Sequence, residues 1–198
     1  MKLMLVGHGR AGKDEAGEWF ARNTSLTFAG TTSKYLCKHV SRELGVPDDE
    51  CYATRHENRE LWWRIGKKVR EQDPGCLIRE SLAHGDVIGG VRDLAEVIYA
   101  RESRCVDLII WIARDSVPTD PTVEFNSSHC DMIIENHWGP DVYHERLKRL
   151  AIALGVHQPR NSMVASAKRF GISGSPVHQR IPSLCLSSTS PQSPINGE

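Results

Sequence analysis

A glycine-rich segment near the start of the chain constrains the fold more than any other feature. Residues 7–14 read Gly-His-Gly-Arg-Ala-Gly-Lys-Asp and directly follow the apolar run Leu3-Met4-Leu5-Val6. Glycines at positions 7 and 12 permit backbone angles that a side chain would disfavour. Apolar residues then recur over residues 16–20 at helical spacing. The pattern predicts a buried strand, a tight turn and a helix that begins near residue 12.

The same segment has the form G-x-x-x-x-G-K, which is typical of a phosphate-binding loop. In such a loop, backbone N–H groups at a helix N-terminus face an anion. Lys13 would add a mobile positive charge for the outer phosphates. A glycine turn with a solvated lysine is the alternative. Because a strand precedes the segment and an amphipathic helix follows it, we favour the phosphate-binding interpretation.

Asp14 departs from the usual pattern, since such loops carry Ser or Thr at this position to ligate Mg²⁺. A carboxylate can also serve a hard, oxygen-preferring cation, directly or through a bound water. The alternative is a negative charge that is favoured at the N-terminus of a helix. The residue types leave both roles of Asp14 open.

Apolar strand patterns alternate with helical patterns over residues 1–155, which predicts an α/β domain with a parallel sheet between helices. Ligands of such sheets bind beyond the carboxyl ends of the strands, where the loop at residues 7–14 would lie. The predicted strands are 2–6, 26–29, 86–91, 106–113 and 131–135. The predicted helices are 12–23, 31–44, 55–72, 75–84, 92–103 and 141–154, with Asp48 and Asp49 in a turn.

Composition narrows the partners of the chain. Its 198 residues have a formal net charge of zero, which argues against a nucleic-acid polymer or a membrane surface as partner. No apolar run approaches the length of a membrane span, and the short apolar N-terminus leads straight into the loop. We therefore expect a cytoplasmic protein with small-molecule ligands, and the sequence leaves a homodimer open.

The six cysteines form no C-x-x-C pair. Cys37 lies near His39 and His129 lies beside Cys130, but neither pair has the spacing of a zinc motif. Free or buried thiols in a reducing compartment are expected. Nothing in the sequence thus indicates a structural zinc.

Two segments outside the regular elements are polar. Residues 114–130 contain Pro118 and Pro121 and have the composition of a mobile lid, with Arg114 as its cationic residue. Residues 156–198 are rich in Ser, Pro and Gln and show no sustained apolar period. We expect this second segment to be a disordered tail.

Arginines cluster in and beside the predicted helix 55–72. They are Arg55, Arg59, Arg64 and Arg70. Because Arg55 and Arg59 are four residues apart, they are expected to share a helix face. Arginine forks suit a second anion, whereas acids in the same helix favour ordinary surface ion pairs. Of Trp62 and Trp63, one is expected in the core, and the other lines a pocket or stacks on a base.

Arg92 follows two glycines at the end of a predicted strand, in the stretch Gly89-Gly90-Val91-Arg92-Asp93. The glycines suggest a backbone that is held open to a ligand. A surface ion pair of Arg92 with Asp93 or Glu96 is the alternative.

With these features in place, the first 155 residues resemble the bacteriophage deoxynucleoside monophosphate kinases of the P-loop nucleoside monophosphate kinase superfamily. The resemblance rests on the motifs G-H-G-R-A-G-K-D, R-H-E-N-R-E-L-W-W-R-I-G-K-K-V-R, G-V-R-D-L-A-E and I-I-E-N-H-W-G-P. A loop that ends in K-D also occurs in the phosphomevalonate kinases of that superfamily. The loop therefore does not identify the acceptor by itself.

The resemblance implies transfer of the γ-phosphoryl group of ATP to a deoxynucleoside 5′-monophosphate, in the host cytoplasm for a phage protein. It implies ATP contacts from Gly7, Gly9, Arg10, Ala11, Gly12, Lys13, Asp14 and Asn136, with Asn136 near the adenine. It implies Mg²⁺ at Asp14, through a water or directly. Arg59, Trp63, Arg64 and Arg92 would contact the monophosphate substrate. Lys13, Arg92 and the lid residue Arg114 would act in catalysis.

One position departs from the relatives. An acid often precedes their valine-arginine pair, where this chain has Gly90. Asp14, Asp93 or Asp86 are the candidates to replace that acid near Mg²⁺. The alternatives to a deoxynucleoside monophosphate kinase are a kinase of another small phosphomonoester and a catalytically weak nucleotide-binding protein.

Overall fold

Five short parallel strands form one sheet in a computed structural model, which describes residues 1–158 of the chain. The strands are β1 (Leu3–Val6), β2 (Phe28–Thr31), β3 (Val87–Gly89), β4 (Leu108–Ala113) and β5 (Met132–Glu135). The helices are α1 (Lys13–Asn23), α2 (Thr32–Leu44), α3 (Asp48–Ala53), α4 (Arg59–Gln72), α5 (Cys76–Leu82), α6 (Leu94–Glu102) and α7 (Pro140–Ala153), with a 3₁₀ turn at Ser127–His129. The α/β architecture with a parallel sheet flanked by helices is confirmed.

The strands pair in the order β2-β3-β1-β4-β5, which makes β1 the central strand. From β1 the chain crosses to β2 and β3 on one side, and it then returns to β4 and β5 on the other. The loops that follow β1 and β4 consequently diverge at the carboxyl edge of the sheet. Such a point of divergence opens a crevice where ligands of α/β sheets bind.

Alternate residues of the central strand pack on opposite faces of the sheet, because successive side chains of a strand point to opposite sides. Leu3 and Leu5 join the cluster that contains Phe20 of α1. Met4 and Val6 join the cluster that contains Val97 of α6. Both faces of β1 are therefore buried, which explains its unbroken apolar sequence.

Several predictions of local structure were wrong. Strand β2 begins at Phe28 instead of residue 26, because Leu26 packs into the core ahead of the strand. Asp48 and Asp49 open helix α3 instead of forming a turn, since acids are favoured in the first turn of a helix. Helix α4 begins only at Arg59.

Arg55 therefore does not share a helix face with Arg59, contrary to the expectation from their spacing. It lies in the turn before α4, where its guanidinium group sits 4.4 Å from the ring centre of Tyr52. The same group donates a hydrogen bond to the carbonyl oxygen of Tyr52.

The predicted tail begins at residue 156, but its first residues belong to the folded unit. The Ser25 N–H donates to the carbonyl oxygen of Val156, and the Gln158 N–H donates to that of Asn23. Residues 159–198, which make up the rest of the predicted tail, lie outside the described residues. Over residues 1–158, no helix is long and apolar enough to cross a membrane.

Asp86 lies just before β3 and stabilises the amino edge of the sheet through its side-chain contacts. Its carboxylate accepts hydrogen bonds from the hydroxyl and the backbone N–H of Thr27, and it pairs with the Lys2 ammonium group at 3.0 Å. The hydrogen bonds from Thr27, followed by those from Lys2, lower the pKa of Asp86 to about 2. The folded state therefore favours the ionised carboxylate.

We predict that Asp86→Asn lowers the free energy of unfolding by about 1–2 kcal/mol at pH 7, because it weakens charge-assisted hydrogen bonds. The folded pKa lies below the ordinary value, so the stability from Asp86 is complete above about pH 4 and is lost as the pH falls to about 2. Urea unfolding of both proteins across this range measures the effect. Glu102→Gln, at an exposed position of α6, is the control. A wild-type advantage that persists unchanged at pH 2 would contradict the prediction.

Candidate functional site

The glycine-rich loop follows β1. It lies so close to β4 and to Asn136 that side chains are excluded at two of its positions. Gly7 has a φ of 137°, and a Cβ atom there would lie 2.4 Å from the carbonyl oxygen of Ile112. Gly12 has a φ of 102°, and a Cβ there would lie 2.5 Å from the side-chain nitrogen of Asn136. Arg10, at φ 63°, takes a left-handed conformation that is uncommon for a residue with a side chain. The loop is thus a tight turn packed against the carboxyl edge of the sheet.

Two side chains from the end of the domain hold the carbonyl oxygens of the loop. Asn136 donates from Nδ2 to the Ala11 carbonyl oxygen at 2.9 Å, and the Tyr143 hydroxyl group donates to the Gly12 carbonyl oxygen at 2.9 Å. In a planar trans peptide the C=O and N–H bonds point in opposite directions. The N–H groups of Gly12 and Lys13 therefore point away from Asn136 and Tyr143, toward the open side of the loop.

Asn136 was expected near an adenine ring. Its side-chain nitrogen is instead engaged with the loop backbone, next to Gly12. In this structure the residue positions the loop, and Tyr143 does the same from α7. Nothing in the sequence pattern singled out Tyr143, because an apolar position on a helix is an ordinary core position.

Lys13 is the first residue of α1, and its side chain turns back into the loop. Its Nζ atom donates to the carbonyl oxygens of Gly7, at 2.9 Å, and of His8, at 2.6 Å. Burial and, secondarily, the positive charge of Arg92 lower the pKa of Lys13 to about 8, although nearby carboxylates oppose the shift. A buried ammonium group beside a guanidinium group is a site that an anion would stabilise.

Asp14 follows Lys13 in the first turn of α1 and is exposed. Its charge is one of those that raise the pKa of Lys13. A carboxylate at this place fits a hard cation that faces the loop. The carboxylates of Asp14 and Asp120, whose charges both raise the pKa of Lys13, are the oxygen donors that would suit Mg²⁺ here.

Asp120 is the site residue that sequence reasoning missed. It comes from the segment that follows β4, and its N–H donates to Nδ1 of His8 in the loop at 3.2 Å. A Cβ atom at Gly9 would lie 3.1 Å from its Oδ2 atom. An acid between Pro118 and Pro121, in a segment whose other residues are largely polar, was the available signal.

The carboxylate of Asp120 is fixed from two sides. Thr122 donates to Oδ1 through its N–H group and its hydroxyl group, and Arg92 donates to Oδ2 at 2.8 Å. Burial alone would raise the pKa of Asp120, but the Thr122 hydrogen bonds and the charges of Arg92 and Lys13 hold it below its usual range. The folded state therefore favours an ionised Asp120 carboxylate, which binds Arg92 and lies next to Gly9 of the loop.

Arg92 lies just beyond β3 and is about half exposed, at 48% of its side chain. The expected alternative partners, Asp93 and Glu96, do not pair with it. Arg92 pairs with Asp120 and also contacts the Thr122 hydroxyl group. Its carbonyl oxygen accepts a hydrogen bond from Glu124 at 2.8 Å. The Arg92 guanidinium group is therefore bound to the Asp120 carboxylate, which also lies next to Gly9 of the loop.

The segment expected to form a lid is anchored at its second half. Phe125 is buried, with its ring centre 6.0 Å from that of Trp111 in β4. Arg114, at the end of β4, is exposed and donates from Nε to the Ser116 hydroxyl group. The structure brings Asp120 of this segment to the loop and leaves Arg114 at the surface.

The backbone at position 90 takes a conformation that disfavours a side chain. Gly90 has a φ of 82°, and a Cβ atom there would lie 2.9 Å from the Cβ of Thr31. The Thr32 hydroxyl group donates to the Gly90 carbonyl oxygen at 3.0 Å, which holds this conformation. Any side chain at position 90 would be strained.

Asp86 and Asp93 were two of the acids expected near Mg²⁺ in place of an acid at position 90. Both bind other residues, which corrects that expectation. Asp86 lies at the opposite, amino edge of the sheet, bound to Thr27 and Lys2. Asp93 caps α6 by accepting from the Ala95 N–H and also binds Arg70.

Arg70 links α4 to the start of α6. Its Nε atom lies 3.1 Å from Asp93 and 3.9 Å from Glu96, whose side chain is only 1% exposed. Burial raises the pKa of Glu96 to about 7, against the opposing charge of Arg70. This contact joins α4 to Asp93, the residue that follows Arg92 in the chain.

One stripe of α4 contains several of the expected substrate residues. Arg59, Trp63, Gly66 and Arg70 recur at spacings of four, three and four residues, so they share a face of the helix. Trp63 is 48% exposed, whereas Trp62 is 7% exposed and packs in the core, as expected for one of the pair. Arg64 is exposed but lies off this stripe, about a quarter turn from Trp63. The stripe leads from Arg70, which binds Asp93, toward Trp63 and Arg59.

Comparison with models of known protein families finds none that matches the chain, and comparison with curated proteins finds no matching relative. A functional proposal for this chain therefore depends on the geometry of the loop and of the residues around it.

We predict opposite effects of two substitutions on Lys13. Arg92→Gln removes a positive neighbour and should raise the Lys13 pKa above 8, whereas Asp120→Asn removes a negative neighbour and should lower it. Titration of ¹³C-labelled lysine Cε signals by NMR, with Lys13→Arg for assignment, measures both. Arg149→Gln on the exposed face of α7 is the control. Shifts of the same sign in the two variants would contradict this arrangement of charges.

Proposed function

We propose that this chain transfers the γ-phosphoryl group of ATP to a deoxynucleoside 5′-monophosphate. The observation that carries the proposal is the position of Asp120, which binds Arg92 at 2.8 Å and whose N–H group donates to His8 of the loop that holds Lys13. Lys13 belongs to the loop after β1, and Arg92 follows β3. Phosphoryl transfer requires cations on both the donor and the acceptor side of the transferred group, held in alignment.

The donor side is the loop itself. The N–H groups of Gly12 and Lys13 face its open side, and the N-terminus of α1 adds a favourable potential for anions. Gly9 leaves room where a Cβ would come within 3.1 Å of the Asp120 carboxylate. That carboxylate stands in for a phosphate oxygen in the free protein, which supports a phosphate at this position.

The acceptor side is formed by Arg92 and the stripe on α4. Arg92 would hold the monophosphate, since a guanidinium group matches phosphate oxygens in a forked arrangement. Arg59 and Arg64 add positive charge along α4, and the exposed Trp63 offers a flat apolar face. An aromatic face in an acceptor pocket suits a nucleobase, which favours a nucleotide over a smaller phosphomonoester such as a phosphomevalonate-like substrate.

No covalent intermediate is required. The attacking oxygen of the monophosphate is already an anion near neutral pH, so no histidine base is needed. Lys13 and Arg92 would offset the charge that develops on the transferred group, and Arg114 would approach from the segment after β4. Mg²⁺, held by Asp14 directly or through water, would supply further neutralisation of phosphate charge when bound. The Asp120–Arg92 ion pair must open for the monophosphate to reach Arg92.

A nucleotide-binding protein without transfer is the second candidate. It is favoured by Gly90, where the backbone conformation excludes the acid found in relatives, and by the engagement of Asp86 and Asp93 elsewhere. A coupled assay of ADP release with ATP–Mg²⁺ and each deoxynucleoside monophosphate separates the two candidates. Release that depends on one of these acceptors supports the kinase. ATP binding without acceptor-dependent release supports the second candidate.

We predict that Lys13→Ala lowers the acceptor-dependent rate at least about a hundredfold, because a charge aimed at the transferred group is lost. Circular dichroism should show an unchanged fold, since the Lys13 side chain bonds only to loop carbonyl groups. Lys148→Ala on the exposed face of α7 keeps the change in charge but lies outside the loop. Near-normal turnover of Lys13→Ala would refute the proposed role of the loop.

A comparison at position 14 tests the metal assignment. Asp14→Ala should reduce turnover far more than Asp14→Ser, because a hydroxyl group can still bind Mg²⁺ or its water. The dependence of the rate on Mg²⁺ concentration should shift upward for Asp14→Ala. Equal and mild losses in the two variants would show that the metal is held elsewhere, with the Asp120 carboxylate as the next residue to test.

A further inference from the structure

Three metal-ligating side chains from two helices meet away from the loop. They are His39 of α2 and Cys76 and Glu80 of α5, and their ligating atoms lie within 4.8 Å of one another. Cys76 and Glu80 are four residues apart and thus share a face of α5. Because His39 comes from a separate helix, the group is invisible to any spacing motif along the chain.

The imidazole ring of His39 supplies a second, independent observation. Its Nε2 atom is buried and has no hydrogen-bond partner within residues 1–158. An unpartnered polar atom in such a place is costly to the fold. Burial, followed by the charges of Lys38 and Arg42, lowers the pKa of His39. The unpartnered Nε2 atom of His39 therefore has no competing hydrogen bond within the described residues that a metal ion would have to replace.

Glu80 already attracts a cation in this structure. Its carboxylate contacts the ammonium group of Lys38, the residue that precedes His39 on α2. A divalent ion at the cluster would take over this carboxylate, and the Lys38 side chain, which is part exposed, would turn to solvent. Lys38 thus competes with a metal for the same oxygen.

We propose that His39, Cys76 and Glu80 form a zinc site, with water as the fourth ligand. Thiolate sulfur, imidazole nitrogen and carboxylate oxygen are the donors that Zn²⁺ accepts in tetrahedral sites. Mg²⁺ and Ca²⁺ prefer all-oxygen sets, so the sulfur and nitrogen atoms disfavour them. The three residues are half-buried, which leaves a side open for water. On binding, the Cys76 thiol loses its proton to solvent and the sulfur forms the bond to zinc.

Zinc at this place would tie α2 to the start of α5. These helices, together with α4, enclose the apolar cluster of Tyr35, Leu36, Trp62, Ile65 and Leu77. The same three-helix group includes the stripe on α4 and the Thr32 hydroxyl group that holds Gly90. The site is separate from the loop, and its existence does not depend on the proposed kinase activity.

The test uses the full chain without a histidine tag, which would itself bind metal. After incubation with zinc and dialysis into metal-free buffer, mass spectrometry of the metal should find about one zinc ion per chain. Substitution by Co²⁺ should give a thiolate-to-cobalt charge-transfer band and the visible absorption of a tetrahedral ion. A chain that retains no zinc and gives no such band overturns the proposal.

Variants locate the ion. Cys76→Ser should abolish the charge-transfer band, and His39→Asn should reduce zinc retention, whereas Cys105→Ser, at another half-buried thiol, should change neither. Lys38→Met should tighten zinc binding, because it removes the competing ammonium group. Circular dichroism without zinc controls for folding. A band that survives in Cys76→Ser, or is lost in Cys105→Ser, overturns the assignment to this cluster.

Thermal unfolding gives a readout that needs no spectroscopic ion. Free zinc at about a hundredfold excess over its dissociation constant should raise the midpoint of the wild type by roughly 5–10 °C. A chelator should reverse the shift, and Cys76→Ser should not show it. An equal zinc-dependent shift in Cys76→Ser would mean binding elsewhere on the chain and would refute the site.

Discussion

The conformation of the loop at residues 7–14 depends on two side-chain hydrogen bonds from residues that follow it by more than a hundred positions. Asn136 donates a hydrogen bond to the carbonyl oxygen of Ala11, and Tyr143 donates one to that of Gly12. Peptide planarity then directs the opposite N–H groups toward the open side of the loop. Without these two hydrogen bonds the glycines would leave the loop free to adopt other conformations, because glycine restricts the backbone least.

The packing of the loop also explains why glycine is required at positions 7 and 12. Ile112 of β4 and Asn136 after β5 stand where Cβ atoms of Gly7 and Gly12 would lie. The loop is thus packed against strands that follow it by about a hundred residues along the chain. The conformation of the loop is thus a property of the assembled sheet edge as well as of the local sequence.

An acid, Asp120, lies where the proposed function requires an anionic ligand. Asp120 bridges Arg92 and the loop, and its ionised form is stabilised by Thr122, Arg92 and Lys13. The arrangement satisfies cations that would otherwise be close together with no counter-charge. Under the proposed function, a phosphate must replace Asp120 at Arg92, so its affinity would be set against this internal ion pair.

Local sequence determined the strands, most of the helices and the loop, because hydrophobic period and glycine placement act over a few residues. It also separated a core tryptophan from an exposed one in the Trp62-Trp63 pair, though not which was which. Tertiary structure alone decided that Asp120 faces the loop, that Asp86 and Asp93 serve elsewhere, and that His39 meets Cys76. These contacts join residues far apart in the chain, so their geometry follows from sheet order and helix packing, which no local pattern encodes.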